Sequence, residues 1–335
     1  MRIVPEVGAN HGGDIEVAHA MVDALAIQGA DCVKFQIYTP SELIANPERL
    51  VTWGIAPNQT QETLGQMFER LSLPWSAYGE LFAHARELGL EPFGTPFSSA
   101  GLSQLLDLGV QRIKIASSDV AYHDFLRECA QTGLPVILSL GKSTLAQADR
   151  AVAALEDAGC SQLTLLHCVA TYPAPAEDAN LRVITTLRHA FPDCSIGYSD
   201  HTHSFVAPIV AVSLGAEMIE RHVTLDPLQP GPDNWFSLPI SEFAGFAAML
   251  AEAKTSLGDG RKVISPSEEA ASRGGTRSLI AAVNLKAGDR ITPDSVKIVR
   301  PGTGIPPDLL GAITGMAVTV DVTQNTPLTW SMFKS

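Results

Sequence analysis

Eight short apolar runs, each closed by polar residues and followed by a segment of helical period, restrict the fold of this chain more than any other feature. The runs begin at Ile3, Cys32, Glu91, Arg112, Val136, Leu163, Ile196 and Met218. After the first, Ala18, Met21, Val22 and Leu25 recur at the spacing of one helix face, and Phe243, Phe246, Ala247 and Leu250 repeat it after the eighth. Strand and helix therefore alternate through residues 1–258, which predicts a closed (β/α)8 (TIM) barrel. A doubly wound sheet has fewer strands and wants a G-x-G-x-x-G turn after the first; residues 8–13 read Gly-Ala-Asn-His-Gly-Gly instead.

One unit is oversized. Between Tyr38 and Trp75 the chain carries Pro40, Pro47, Pro57 and Pro74 around a short helical stretch near Gln61 to Arg70, the pattern of a substrate loop. Past Leu257 the composition turns polar, and residues 259–275 read as a linker. Residues 276–335 show β-branched alternation (Val318, Val320, Val322) and turn pairs, with helical character only from Pro307 to Thr314. A mostly-β domain that small is marginal alone and is expected to dock on something.

Charge narrows the partners. Lys plus Arg number 23 against 36 Asp plus Glu, a net charge of −13, which argues against nucleic acid and anionic membrane surfaces and requires a local cationic pocket for any anionic ligand. The five cysteines, Cys32, Cys129, Cys160, Cys168 and Cys194, show no C-x-x-C spacing and suit a reducing, cytoplasmic setting. No signal-like segment opens the sequence, and no apolar run is long enough to span a membrane.

In such a barrel the polar residues closing each run gather at one mouth. In order they are Glu6 with Asn10 and His11, Lys34 and Gln36, Thr95, Lys114 with Ser117 to Asp119, Ser139, His167, Ser199 to His201, and Glu220 with His222. Two lysines and several hydroxyls on one rim suit a phosphate or carboxylate. A single lysine is more often a surface residue with its stem laid over apolar neighbours, but Val33-Lys34-Phe35 and Ile113-Lys114-Ile115 set both inside buried strands. His201 and His222 close neighbouring strands, about 4.8 Å apart, near enough to share one metal ion; alone, such a pair is as often a hydrogen-bonding feature, and His203 competes for the role.

These residues sit in segments that resemble the sialic acid synthase (N-acetylneuraminate synthase) family, with its pseudaminic and legionaminic acid synthases. The segments are Glu6-Val-Gly-Ala-Asn-His-Gly-Gly, Gly29-Ala-Asp-Cys-Val-Lys-Phe-Gln, Lys114-Ile-Ala-Ser-Ser-Asp, His167-Cys with Thr171-Tyr-Pro, Gly197-Tyr-Ser-Asp-His-Thr, Glu220-Arg-His-Val-Thr-Leu-Asp, Pro230-Gly-Pro-Asp and Arg300-Pro-Gly-Thr-Gly-Ile. They run in order through nearly the whole chain. The resemblance implies a metal-dependent condensation of phosphoenolpyruvate with the open-chain aldehyde of an amino sugar, N-acetylmannosamine or a relative, giving a nonulosonic acid and phosphate. It implies His201 and His222 as ligands of a divalent metal, manganese first, with magnesium or cobalt as alternatives. Lys34, Thr95, Lys114, Ser117, Ser139, Tyr172 and Ser199 would cradle phosphoenolpyruvate. Glu6 would orient or deprotonate the attacking water, Asp233 would accept sugar hydroxyls, and Gln36, Asp119 and Asn234 would also touch substrate. The tail resembles the antifreeze-like (SAF, β-clip) domain of these synthases. It would reach over the partner's barrel in a domain-swapped homodimer and bring Arg277 to the acceptor.

Departures from the family pattern fall on the acceptor side. Asn234 stands where the family usually has His, Ala170 where it has Asn or Ser, Leu140 and Lys142 flank Gly141 in place of Thr and Met, His203 replaces an apolar residue, and Asp119 is shorter than the usual Glu. The expectation is an intact phosphoenolpyruvate half and poor use of N-acetylmannosamine relative to a different sugar aldehyde. A phosphorylated or specialised-metabolite acceptor, with Lys142 serving a phosphate, is the alternative. A non-catalytic scaffold would be expected to have lost a metal histidine or both lysines, and none is lost.

Overall fold

The computed structural model describes residues 1–54 and 59–333. The chain divides into two compact units, Met1–Gly258 and Asp259–Ser335. In the first, β1 (Arg2–Gly8) leads into α1 (Ile15–Ile27), and β2 (Cys32–Ile37) into α2 (Pro40–Leu43), the hairpin β3 (Leu50–Trp53) and β4 (Thr60–Thr63), α3 (Leu64–Leu71) and α4 (Ala77–Glu87). Regular alternation follows through β5 (Glu91–Pro96), α5 (Ser99–Asp107), β6 (Ile113–Ile115), α6 (His123–Gln131), β7 (Val136–Ser139), α7 (Leu145–Asp157), β8 (Leu163–Cys168), α8 (Val183–Ala190), β9 (Ser195–Asp200), α9 (Val206–Ser213), β10 (Met218–Thr224), the short β11 (Leu238–Pro239) and α10 (Phe243–Ser256). Eight parallel strands pair in the order β1-β2-β5-β6-β7-β8-β9-β10, and β10 returns to β1 with Glu6 opposite His222. This is the closed barrel that the alternation predicts.

Strand parity sorts the side chains. On β2 the fully buried Val33, Phe35 and Ile37 point outward, where Phe35 packs on Tyr78 and Phe82 of α4 with ring centroids 6.4 and 5.7 Å apart. Lys34 and Gln36, on the opposite parity, point inward. A buried Phe of this kind contributes about 1.5–3 kcal/mol, so the outward rows hold helices to sheet while the inward rows are released for chemistry. α1 starts where Asp14 accepts hydrogen bonds from the Glu16 and Val17 amides, and it buries Ala18, Met21, Val22 and Leu25.

The barrel floor is sealed by charge. Glu91, at the start of β5, takes Arg2 of β1 at 2.5 Å and a two-pronged contact from Arg112, whose guanidinium also lies 5.8 Å from the Phe93 ring. Burial works against the Glu91 charge, but Arg112 and Arg2 outweigh it and hold the carboxyl below its usual range.

The long β2–α4 excursion differs from expectation. Its centre is an antiparallel hairpin pairing Leu50 with Thr63 and Trp53 with Thr60, and the helix begins only at Leu64, because Thr63 caps it by accepting from the Gln66 amide.

In the second unit the stretch read as a polar linker carries a helix, α11 (Pro266–Gly275), whose first turn is closed by a Ser265–Glu268 capping box. Beyond it β12 (Ser278–Ala281) and β13 (Val296–Val299) form an antiparallel pair, α12 (Leu310–Ile313) supplies the helical turn, and Leu279, Ile291, Ile313 and Leu328 anchor a small core. Val318 and Val322 are buried but Val320 is half exposed, because the chain there makes isolated bridges (Val318 to Phe333, Leu285 to Val322) and no continuous strand.

Candidate active site

The inward residues at the C-terminal strand ends surround one small polar cavity. Its lining includes Glu6, Lys34, Gln36, Thr95, Lys114, Ser117, Ser139, Tyr172, Ser199, His201 and His222, each of which the sequence had marked, together with Glu220, Cys168, Phe97 and Ala116.

Glu220 is the residue sequence reasoning undervalued. It stood among the mouth positions with no role assigned, yet it lies between both lysines. Its carboxylate is 3.4 Å from Lys34 Nζ and 3.9 Å from Lys114 Nζ, and Ser199 donates to it at 2.9 Å. Lys34 also contacts Glu6 Oε2 at 2.8 Å and donates to Thr95 Oγ1 at 3.2 Å, while Lys114 donates to Ser139 Oγ at 2.7 Å and to the Ile115 carbonyl. Gln36 donates to Glu6 Oε1 at 2.8 Å and fixes that carboxyl in the mouth.

The two acids are driven apart. Burial raises Glu220, but Lys114 and Lys34 outweigh it and hold the carboxyl down at about 2. Glu6 is raised by burial and by the Glu220 charge against the pull of Lys34. Burial lowers Lys114, whereas on Lys34 the two carboxylates overcome burial and raise it. Two ammonium groups thus stand pre-positioned around Glu220, with hydroxyls beside them, and both lysines are buried.

His201 and His222 face the same cavity with ring centroids 5.5 Å apart. His201 Nδ1 lies 2.9 Å from the Val169 carbonyl, which can only accept, so the proton sits on Nδ1 and the Nε2 lone pair is free. Burial lowers His201 to about 4 and pushes His222 well below the usual histidine range, so both rings are neutral. His222 Nδ1 has no hydrogen-bond partner and lies 3.5 Å from Asp233 Oδ2. Two neutral imidazoles with a carboxylate beside one of them fit a divalent metal. Among the described residues no group of three or more His, Cys, Asp or Glu converges as a ligand set, and the two imidazoles stand as a pair. Tyr172 covers the pair, its ring 4.3 Å from His201, and Phe236 packs on both Tyr172 and His222 at 5.4 Å.

Several marked residues lie elsewhere. His167 and Asp200 are on the outward parity: His167 bonds the Ala179 carbonyl and stacks on Tyr198, while Asp200 pairs with Arg221 at 2.6 Å. Cys168, one position on from His167, takes its place in the cavity wall. Asn10 donates to the Val223 carbonyl and to Ser237, and His11 accepts from the Gly13 amide; both brace the turn after β1. Asn234 is turned into its own loop, where Thr224 donates to its Oδ1 at 2.6 Å. Asp119 ends the turn Ser117–Asp119 beside the cavity and is not in its lining. His203 packs on Trp235, with ring centroids 5.8 Å apart, and does not join the imidazole pair. Lys142, at φ 57°, lines a different cavity beside α7 and α8. Arg277 is exposed in the second unit, just before β12. Gly141 explains the tight wall next to Ala170: a Cβ there would stand 3.1 Å from Ser117 Oγ and Cys168 Sγ and 3.2 Å from the Ala170 Cβ.

Comparison with known proteins gives two family matches: the NeuB family over residues 21–262 and the SAF domain over residues 276–334. The N,N'-diacetyllegionaminic acid synthase of Legionella pneumophila is 32% identical, over 98% of this chain and 93% of its own. The pseudaminic acid synthase of Helicobacter pylori is 33% identical, over 98% and 96%. Among solved structures, the N-acetylneuraminic acid (sialic acid) synthetase of Leptospira borgpetersenii, in complex with citrate, superimposes with a TM-score of 0.72 at 31% identity, covering 80% of this chain and 89% of that one.

Proposed function

This chain belongs to the NeuB family and carries an SAF domain, and from that premise we propose that it condenses phosphoenolpyruvate with the open-chain aldehyde of an acylamino sugar to give a nonulosonic acid and phosphate. The observation that carries the reading is the convergence of Lys34, Lys114 and the hydroxyls of Thr95, Ser117, Ser139 and Ser199 on a cavity that also holds the paired imidazoles. A small trianion needs such a cradle, and the rest of this acidic protein repels it.

In the condensation, C3 of the enol attacks the aldehyde carbon, water adds at C2, and phosphate leaves as its C–O bond breaks. Lys34 and Lys114 balance the charge of the bound anion, and the serine and threonine hydroxyls orient it. Glu6, held by Gln36 and Lys34, would orient the water and take its proton. His201 and His222 would hold a divalent metal, manganese in the first instance, with Asp233 beside them for the sugar hydroxyls. When bound, that metal supplies Lewis-acid polarisation of the aldehyde oxygen. Tyr172 and Phe236 pack together over this side of the imidazole pair.

The SAF unit is read as completing the site across a homodimer, with Arg277 of one protomer reaching the acceptor in the other. The five free cysteines suit a cytoplasmic enzyme, and no helix is long and apolar enough to cross a membrane.

The deciding experiment measures phosphate release from phosphoenolpyruvate with manganese across a panel of sugar aldehydes, alongside calorimetry of phosphoenolpyruvate binding. Release with at least one acylamino sugar, and poorer use of N-acetylmannosamine than of another acceptor, is expected. Failure to bind phosphoenolpyruvate in the presence of manganese would overturn the proposal.

A further inference from the structure

The strand ladder beneath the two imidazoles stops one step short of them. β9 and β10 pair in register as far as Asp200 opposite Arg221, and one further step would have set His201 opposite His222. β9 ends at Asp200, so His201 is the first residue of the loop that runs to α9 at Val206. From the β8 side two contacts hold it: the Val169 carbonyl accepts from its ring at 2.9 Å, and the Ala174 amide donates to its carbonyl at 2.8 Å. A metal shared by two rings needs their separation fixed as well as their tilt, and that calls for a tie to β10 as well.

Arg221 supplies that tie. Alternation along β10 turns Glu220 and His222 into the cavity and Arg221 away from it, just as Ser199 and His201 face the cavity and Asp200 does not. Arg221 Nη1 donates to Asp200 Oδ2 at 2.6 Å and to the Ser204 carbonyl at 3.1 Å, and Nη2 donates to the Thr202 carbonyl at 2.9 Å and the His203 carbonyl at 3.1 Å. All four bonds go to residues 200–204, on both sides of His201. Asp200 braces the same turn, accepting from the Thr202 amide at 3.0 Å and from its hydroxyl at 2.8 Å. The guanidinium lies 5.3 Å from the Phe205 ring and 5.5 Å from Phe246 of α10, and the Asp200–Arg221 pair is buried. Burying an ion pair is a poor route to stability, since apolar residues of the same volume do as well or better. What the planar fork provides here is geometry: it holds a carboxylate and three successive carbonyls at once, which a lysine ammonium cannot.

We infer that Arg221 is a positioning residue for the imidazole pair: it clamps the loop that carries His201 to the strand that carries His222, and so sets the affinity for the metal. The inference rests on the metal-binding reading of the two histidines proposed above. Arg221 is not in the cavity lining and acts through the backbone of residues 200–204.

The test titrates manganese into the full-length protein by calorimetry, with no substrate present. Arg221→Lys keeps a cation for Asp200 but loses the fork, and is expected to weaken manganese binding by roughly 10- to 100-fold. At saturating manganese its KM for phosphoenolpyruvate is expected to stay at the wild-type value, because Lys34 and Lys114 lie on β2 and β6. The double variant Asp200→Asn/Arg221→Gln leaves no buried charge unpaired, so it guards against misfolding of the single variant, and it is expected to show the same loss. Leu25→Ala, a buried change on α1, lowers the melting temperature without touching the loop and is expected to keep wild-type manganese affinity. Manganese binding within about twofold of wild type in both Arg221 variants, or an equal loss in Leu25→Ala, would overturn the inference and leave the metal reading standing. No manganese binding by the wild type would overturn the metal reading and this inference with it.

Discussion

The floor and the mouth of the barrel both hold charge inside the same ring of strands, half-buried at the floor and buried at the mouth, and they do it in opposite ways. At the floor, one carboxylate on β5 meets two guanidinium groups, and both donate hydrogen bonds to it. At the mouth, Glu6, Glu220, Lys34 and Lys114 are each at most 5% exposed, two neutral histidines stand beside them, and His222 Nδ1 lacks a hydrogen-bond partner. Burying polar groups without partners costs stability, so a fold optimised only to persist would resemble its floor. The mouth keeps donors and charges in reserve for a ligand, and stability is given up there for binding.

The strongest test of that contrast removes a mouth imidazole. His201→Ala or His222→Ala is expected to abolish turnover and weaken manganese binding in a calorimetric titration, while the thermal unfolding curve barely moves. Full activity of either variant in chelator-treated buffer would remove the metal from the scheme.

The next effect concerns the lysines. Lys114→Met alone leaves Glu220 less well paired in a dry site and is expected to lower stability by about 3–5 kcal/mol. Adding Glu220→Gln should recover much of that loss in chemical denaturation. Phosphoenolpyruvate affinity in the double variant should stay down by roughly 100-fold or more. Recovery of binding along with stability would show that the mouth charges serve the fold as the floor charges do.

Deleting residues 259–335 extends the comparison to the second unit. The barrel should remain folded by circular dichroism, with phosphoenolpyruvate binding retained and acceptor use strongly reduced. Mixing Arg277→Ala protomers with His222→Ala protomers should recover part of the activity; no recovery would argue against sites completed in trans.

The smallest effect belongs to the floor. Glu91→Gln is expected to cost about 1–2 kcal/mol at neutral pH and leave kinetic constants unchanged. The folded state holds the Glu91 pKa below its unfolded value, so the ionised carboxylate contributes stability above the unfolded pKa and loses it as pH falls through the folded one. The gap between wild type and variant should therefore close below about pH 4.

All eight barrel strands were legible in the sequence, because a buried parallel strand announces itself as a short apolar run and the helix after it by its period. The inward lysines were legible for the same reason: a charge flanked by Val33 and Phe35, or by Ile113 and Ile115, has only the barrel interior to enter. The helix α11 was legible and missed, since Ser265-Pro-Ser-Glu268 is itself a capping-box signature inside a segment read by polarity alone. The β3–β4 hairpin was not, because its strands are only four residues each and gain their pairing from one another.

Sequence by itself determined the barrel, the parity of each strand and the residue types available at its mouth, because period and apolar run length are local properties of the chain. Only the tertiary structure decided which of those residues meet. It placed Cys168 and not His167 in the wall, set Glu220 between two lysines from other strands, turned Asn234 away into its loop, and brought Trp53 and Trp235 to the lining of one groove. Such meetings depend on the register and stagger of strands around a closed barrel, which no single strand encodes.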